Sequence, residues 1–183
     1  MDGEIEESRK RPQKGFTLIE LVVVSGVLLI MVMIGLPQFT GMVLNSRLDA
    51  SARQIAGDMR DARSLATKNG WQYQIVGYNA GGSTTYKNQY RLAGRANNTV
   101  AWPTPVANGS SFQSSTQMAG EWINFNSLYQ GISLNPANTA PSFYVSFDSQ
   151  GAVFESTLPL TITLQSGGSR QVSVSLAGNV KIQ

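Results

Sequence analysis

A carboxylate near the start of an otherwise uncharged apolar run is the first place where residue type and spacing imply chemistry. Glu20 follows Lys14-Gly15-Phe16-Thr17-Leu18-Ile19, and no other charge falls between Phe16 and Leu36. A glutamate inside a hydrocarbon-spanning helix costs on the order of 3 kcal/mol or more, so it calls for a partner. The expected partner is the end of another copy of the same helix. Elsewhere reactive groups are sparse. The 183 residues include no histidine and no cysteine, which removes the usual general base, the commonest metal ligand and every Ser-His or Cys-His nucleophile pair. From Gly70 onward only Glu121, Asp148 and Glu155 carry carboxylates, too few for an oxygen-rich cation cage unless backbone carbonyls supply most ligands. We therefore expect no metal, no cofactor and no enzymatic activity.

The element that must position Glu20 is long. Phe16 to Leu36 is 21 residues, about 30 Å as a helix and enough for one bilayer core. Arg9, Lys10, Arg11 and Lys14, with Pro12 among them, form a basic flank that the positive-inside tendency holds on the cytoplasmic side, leaving the C-terminal part outside. Two plainer readings compete. A cleaved secretory signal needs a shorter apolar core and a small-x-small site, and Gly35-Leu36-Pro37 is a poor one. A simple single-pass anchor accounts for the length and the flank but leaves Glu20 unexplained.

Lys14-Gly15 followed by Phe16-Thr17-Leu18-Ile19-Glu20 resembles the class III signal of type IV pilins and pseudopilins. The resemblance implies that a prepilin peptidase removes a leader, residues 1–15, by cutting between Gly15 and Phe16, and methylates the new terminus to give N-methylphenylalanine at Phe16. It also implies that Glu20 neutralises the positive terminus of a neighbouring subunit, and that Pro37 matches the family's helix proline. The physics agrees: an ammonium and a carboxylate buried together are tolerable only when paired, and the pair would fix axial register.

After the transmembrane or filament-core segment 16–36, the pattern over 37–69 becomes amphipathic. Leu48, Ala52, Ile55, Met59, Ala62 and Ala66 share one helical face, and Asn69-Gly70 supplies a stop. The helix is expected from about Phe16 to Lys68, with Gly35, Pro37 and Gly41 marking a kink or melted stretch. Residues 70–183 read as one β-rich head without disulfides. Strands are expected at 71–75, 143–147, 152–154, 160–164, 172–176 and 180–182 from their alternation and flanking turns. The Gly-, Ser- and Asn-rich stretch 77–120, with one strand at 86–92, reads as a variable insertion. The fold class is thus α+β: a long N-terminal helix packed on an antiparallel sheet or sandwich.

This order, with Arg60-Asp61-Ala62-Arg63-Ser64-Leu65-Ala66 on the helix and Gly178-Asn179-Val180-Lys181 near the end, resembles the minor pseudopilin H and FimT branch of the family. The resemblance implies a non-enzymatic minor subunit near the tip of a type II secretion pseudopilus or a type IV pilus, held first in the inner membrane with a periplasmic head. Its implied partners are prepilin peptidase, major and minor pilins or pseudopilins, the inner-membrane assembly platform, and lipid before assembly. Some FimT-like subunits bind DNA through a C-terminal Gly-Arg-x-Arg motif. Both arginines are missing here, leaving Arg170 and Lys181 as the nearby cations, with Lys87, Arg91 and Arg95 as possible additions. A DNA-binding minor pilin of a type IV pilus acting in DNA uptake is the alternative reading, and the expectation is that DNA binds weakly or not at all. Arg60 and Arg63 are expected to pair with Asp58 and Asp61 along the helix. Trp71, Tyr73, Trp102, Trp122, Phe125, Phe143 and Tyr144 are expected in packing rather than base stacking.

Overall fold

The structure, a computed structural model, describes residues 15–79, 81, 85–103, 111–136 and 141–183. Two compact units meet at Met42 and Val43. The leader up to Lys14, the Gly82-Ser83 and Asn108-Gly109-Ser110 turns and the side chain of Pro37 lie outside the described residues.

One helix, α1 (Leu18–Asn69), runs from the first unit into the second. It is helical through Gly35, Pro37 and Gly41, so the expected melted stretch is absent. A proline removes one bond to the carbonyl four residues back, here that of Met33, and the bonds on either side suffice to continue the helix. In the first unit, apolar side chains from Phe16 to Ile34 are exposed, and the segment is long and apolar enough to cross a membrane.

In the second unit the same helix becomes two-faced. Leu48, Ala52, Ile55, Met59, Ala62 and Ala66, the face expected from spacing, are fully buried, together with Ala56. Small alanines let the sheets approach α1 closely, and they pay little side-chain entropy on burial.

Among the described residues eleven strands follow: β1 (Gln72–Tyr78), β2 (Gln89–Arg95), β3 (Phe112–Gln113), β4 (Gln117–Ala119), β5 (Ile123–Asn124), β6 (Ile132–Pro136), β7 (Ser142–Phe147), β8 (Val153–Ser156), β9 (Leu160–Leu164), β10 (Ser169–Val174) and β11 (Val180–Ile182), with a short helix α2 (Phe125–Leu128) after β5. One sheet has the order β3-β4-β2-β1-β7-β8, with β5 also on β2, and the other has the order β11-β10-β9-β6. Their strand pairs are antiparallel.

The stretch 77–120 departs from expectation. It contains β2, which pairs with every residue of β1 from Gln72↔Arg95 to Tyr78↔Gln89, so this part belongs to the sheet rather than to an insertion. The strand lies at 89–95 instead of 86–92. Its second half was hidden by Ala93 and Gly94, which are small because they are crowded. A Cβ on Gly94 would lie 2.9 Å from Met118 and 3.0 Å from Tyr73.

The two sheets are tied by a buried asparagine. Asn88, at φ 56° in the left-handed region, accepts from the Leu134 amide at 2.9 Å and donates to the Ile132 carbonyl at 2.7 Å and to Asn126 at 2.9 Å. Asparagine is among the few side chains at ease with this backbone. Its amide supplies partners that the start of β6 would otherwise lack.

Candidate functional site

The N-terminal site begins at exposed residues. Gly15 has no heavy atom within 4 Å of a built Cβ, apart from its chain neighbours, and Phe16 is 85% exposed. Both precede the first helical residue, so the Gly15–Phe16 peptide lies in non-helical backbone. Thr17 then caps α1: its Oγ1 accepts from the Glu20 amide at 3.2 Å. Thr17 is thus the N-cap and Glu20 stands at the third position, the spacing of a capping box with its hydroxyl-to-amide bond formed, a signal that the charge-based reading overlooked. Glu20 also sits in the first turn of α1, where the helix dipole favours an anion. Among the described residues it makes no ion pair, and its side chain is exposed.

The second candidate site, at the C-terminus, is built differently from expectation. Arg63 Nη1 donates to the Gly178 carbonyl and to Asn179 Oδ1, each at 3.3 Å. Arg60 Nη2 donates to the Val180 carbonyl at 3.5 Å. The expected pairing of these arginines with Asp58 and Asp61 is therefore corrected. Asp58 instead accepts from the Tyr90 hydroxyl in a short bond and from Gln54. Geometry explains the change: the Gly178 turn lies against the arginine side of α1, and its carbonyls offer fixed acceptors to the guanidinium fork.

Gly178 itself has φ 80°, and a Cβ there would lie 2.3 Å from the Gly151 carbonyl and 2.7 Å from Arg63 Nε. The Gly-x-x-Lys end is therefore packed against α1 through its glycine.

Arg170 and Lys181 are not brought together. Arg170 Nε makes an ion pair with Asp49 Oδ1 at 2.7 Å, on the side of β10 that faces α1. Lys181 pairs across the strands with Ser173, three residues from Arg170. Side chains alternate along a strand, so Lys181 and Arg170 point to opposite faces of this sheet. Arg91 and Arg95 are also engaged, whereas Arg47 and Arg53 are exposed on α1. Arg91 is 1% exposed, donates to the Pro103 carbonyl at 2.8 Å and lies 4.9 Å from the centre of the Trp122 ring. Burial lowers its pKa. Arg95 donates to Gln72 at 2.7 Å and covers Trp102 at 4.3 Å. Lys87 is exposed.

The aromatic residues follow the packing expectation in most cases. Tyr73, Phe125 and Phe143 are buried, while Trp122 stacks on Tyr86 at 4.3 Å. Tyr90 was missed. It is fully buried, meets Phe125 edge-on at 5.4 Å, and its hydroxyl pKa is pushed far up, first by burial and then by the Asp58 carboxylate. Among the described residues no cluster of His, Cys, Asp or Glu could hold a metal ion.

Residues 10–36 match the prokaryotic N-terminal methylation motif. The chain therefore carries a class III prepilin signal, and its plan of an apolar helix followed by an antiparallel β head is pilin-like. Among solved structures it is similar to the type IV minor pilin FimU of Pseudomonas aeruginosa PAO1 in two crystal forms. The P21 form shares 15% identity, with 76% of this chain and 90% of that chain covered and a TM-score of 0.46. The P65 form shares 15% identity, with 74% and 92% covered and a TM-score of 0.45. A sequence search of curated proteins gives no match.

Proposed function

We propose that this chain is a non-enzymatic minor subunit of a pilus-type filament, cut between Gly15 and Phe16 by prepilin peptidase and N-methylated at Phe16. Before assembly it is anchored in the bacterial inner membrane by residues 16–36, with the N-terminus cytoplasmic and the head periplasmic. Glu20 then neutralises the methylated terminus of a neighbouring pilin or pseudopilin as the helices bundle on the assembly platform. The filament is a type II secretion pseudopilus or a type IV pilus, and the subunit sits near its tip, supporting protein secretion in the former case.

The observation that carries this reading is the methylation motif over 10–36, which ends in an apolar helix whose one carboxylate has no ion-pair partner among the described residues. Mass spectrometry of the chain from cells with and without prepilin peptidase tests it. A terminus at Phe16 bearing one extra methyl, present only with the peptidase, is expected; an intact Met1 chain in both strains, or a terminus after Pro37, overturns it. Gly15→Val should block processing.

A further inference from the structure

Tyr90 and Arg91 are neighbours on β2 and point to opposite faces of the first sheet. Tyr90 reaches Asp58 on α1, so Arg91 lies on the face turned away from the helix. Its surroundings there are aromatic. Val76 stands opposite Arg91 in β1, which puts Tyr78, two residues on, on the same face. Tyr78 packs with Tyr86 at 6.1 Å and with Trp122 at 5.8 Å, and the Arg91 guanidinium carbon lies 4.9 Å from the centre of the Trp122 ring. Pro103 closes the group through its carbonyl, which accepts from Arg91 Nη2 at 2.8 Å.

This cluster leaves three donors open. Arg91 Nε, Arg91 Nη1 and Trp122 Nε1 are buried without a hydrogen-bond acceptor. The charged and titratable groups acting on Arg91 are Tyr86 and Tyr78, with neither a carboxylate nor a second cation among them. Glu121, next to Trp122 in sequence, is exposed, and the one ion pair among the described residues joins Arg170 to Asp49. Arg95 supplies the contrast. Four residues along β2 and on the same face, it covers Trp102 in the same way, yet its Nε donates to Gln72 and its Nη1 to the Val100 carbonyl. Stacking on tryptophan therefore does not require open guanidinium donors. A buried cation without a counter-charge is strongly unfavourable, and packing alone is served better by an uncharged side chain.

We infer that this face of the head binds a small carboxylate ion. One of its oxygens accepts from Arg91 Nε or Nη1 and the other from Trp122 Nε1. A single guanidinium matches the charge of a monoanion rather than a dianionic phosphate, and its planar donors suit a carboxylate. Enclosure of all three donors favours a free ion of about acetate size over a side chain presented by another protein. The site lies apart from Gly15, Phe16 and Glu20 and does not depend on how the N-terminus is processed.

Thermal melting of the full chain in detergent micelles tests the assignment. Exchanging chloride for acetate at constant ionic strength should raise the melting temperature saturably, by about 4 °C at tenfold the dissociation constant. Phosphate at the same ionic strength should give no saturable rise. Acetate also stabilises proteins in general by exclusion from their surface, but that effect does not saturate and every variant retains it. Trp122→Phe keeps a ring and removes the N–H, and should weaken the saturable response about tenfold. Arg91→Met should abolish it, and Arg91→Lys, which keeps the charge without the fork, serves if Arg91→Met fails to fold. A parent that melts alike in acetate and chloride, a saturable response to phosphate as strong as that to acetate, or an acetate response that the Trp122 or Arg91 variant keeps at full strength overturns the inference.

Discussion

Arg63 on α1 and Gly178 in the β10–β11 turn form one contact that closes the head: the guanidinium donates to the Gly178 carbonyl at 3.3 Å, and the glycine's missing side chain leaves room for it. The helix and the last hairpin, 115 residues apart, are joined where no β-carbon fits.

Gly178→Ala should therefore be costly. The new Cβ would lie 2.3 Å from the Gly151 carbonyl at a backbone φ of 80°, and we expect a loss of about 3 kcal/mol, combining steric displacement with left-handed strain. Gly167→Ala has a similar φ of 99° but no atom within 4 Å, so it should lose about 1 kcal/mol. Urea unfolding of the full chain in detergent compares the two. Equal losses would show that the Arg63 side of the turn is not crowded.

Buried Tyr90 gives a pH dependence with a definite sign. Its folded pKa is raised above the ordinary value of 10.0 by burial and by Asp58. The unfolded chain releases this proton near pH 10 while the folded chain keeps it, so the stabilisation is present below pH 10 and is lost as pH rises above it. The melting temperature should hold to about pH 9.5 and then fall. Tyr90→Phe should flatten the part of that fall which this hydroxyl causes, while lowering stability at neutral pH by about 1 kcal/mol for the lost bond to Asp58. An unchanged alkaline slope in Tyr90→Phe would assign the fall to other tyrosines.

How much of this was legible in the sequence depends on what each residue type reports. The buried face of α1 was readable because spacing alone sets a helical face. Strands β9 and β11 were readable because apolar and polar residues alternate there beside definite turns, Thr with Leu and Ile in β9 and Lys181 between Val180 and Ile182 in β11. Strand β6 was overlooked although Ile132-Ser133-Leu134-Asn135 alternates as clearly, because its turn signals lie in neighbouring Asn- and Gly-rich sequence. Ala93 and Gly94 hid the second half of β2, since a crowded position selects small residues that carry no strand preference. The partners of Arg60 and Arg63 were not legible at all. Local spacing offered Asp58 and Asp61, but backbone carbonyls from 115 or more residues away won.

At the N-terminus, Glu20→Ala should leave membrane insertion intact, because removing a charge from an apolar segment makes insertion easier. Thr17 still caps the helix through its hydroxyl, a bond to the residue 20 backbone that the substitution does not touch. On the proposed pairing with a neighbour's ammonium, incorporation into filaments should fall by about tenfold or more, since that ammonium would lack its counter-charge. The measurement is the ratio of filament-bound to membrane-bound chain at equal expression. Thr17→Ala separates the two roles, weakening the helix start by about 1 kcal/mol while leaving the carboxylate in place. If Glu20→Ala enters filaments as well as the parent, Glu20 serves only the first turn of the helix.

The C-terminal end makes a prediction about nucleic acid. Tight non-specific binding needs several cations in reach of successive phosphates, and each contact adds roughly one unit to the salt slope. Here Arg170 is paired with Asp49, Lys181 points to the opposite face of its sheet, and Arg60 and Arg63 are turned onto the chain's own carbonyls. Arg91 is buried and Arg95 is engaged with Gln72 and Trp102, which leaves Lys87 and Lys181 exposed on separate elements and Arg47, Arg53 and Lys68 exposed along α1, away from the C-terminal end in sequence. A gel-shift titration with duplex DNA near 0.15 M salt, where screening acts beyond about 8 Å, should give no complex below roughly 100 μM. Lys181→Ala should change nothing, and Asp49→Ala, which frees the Arg170 guanidinium, should tighten binding by no more than a few fold. Low-micromolar binding that weakens steeply with salt and is lost in the Lys181→Ala, Arg170→Ala double variant would assign the C-terminal end to DNA. It would also require the two faces of the second sheet to bind one duplex together, which the alternation of Arg170 and Ser173 along β10 opposes.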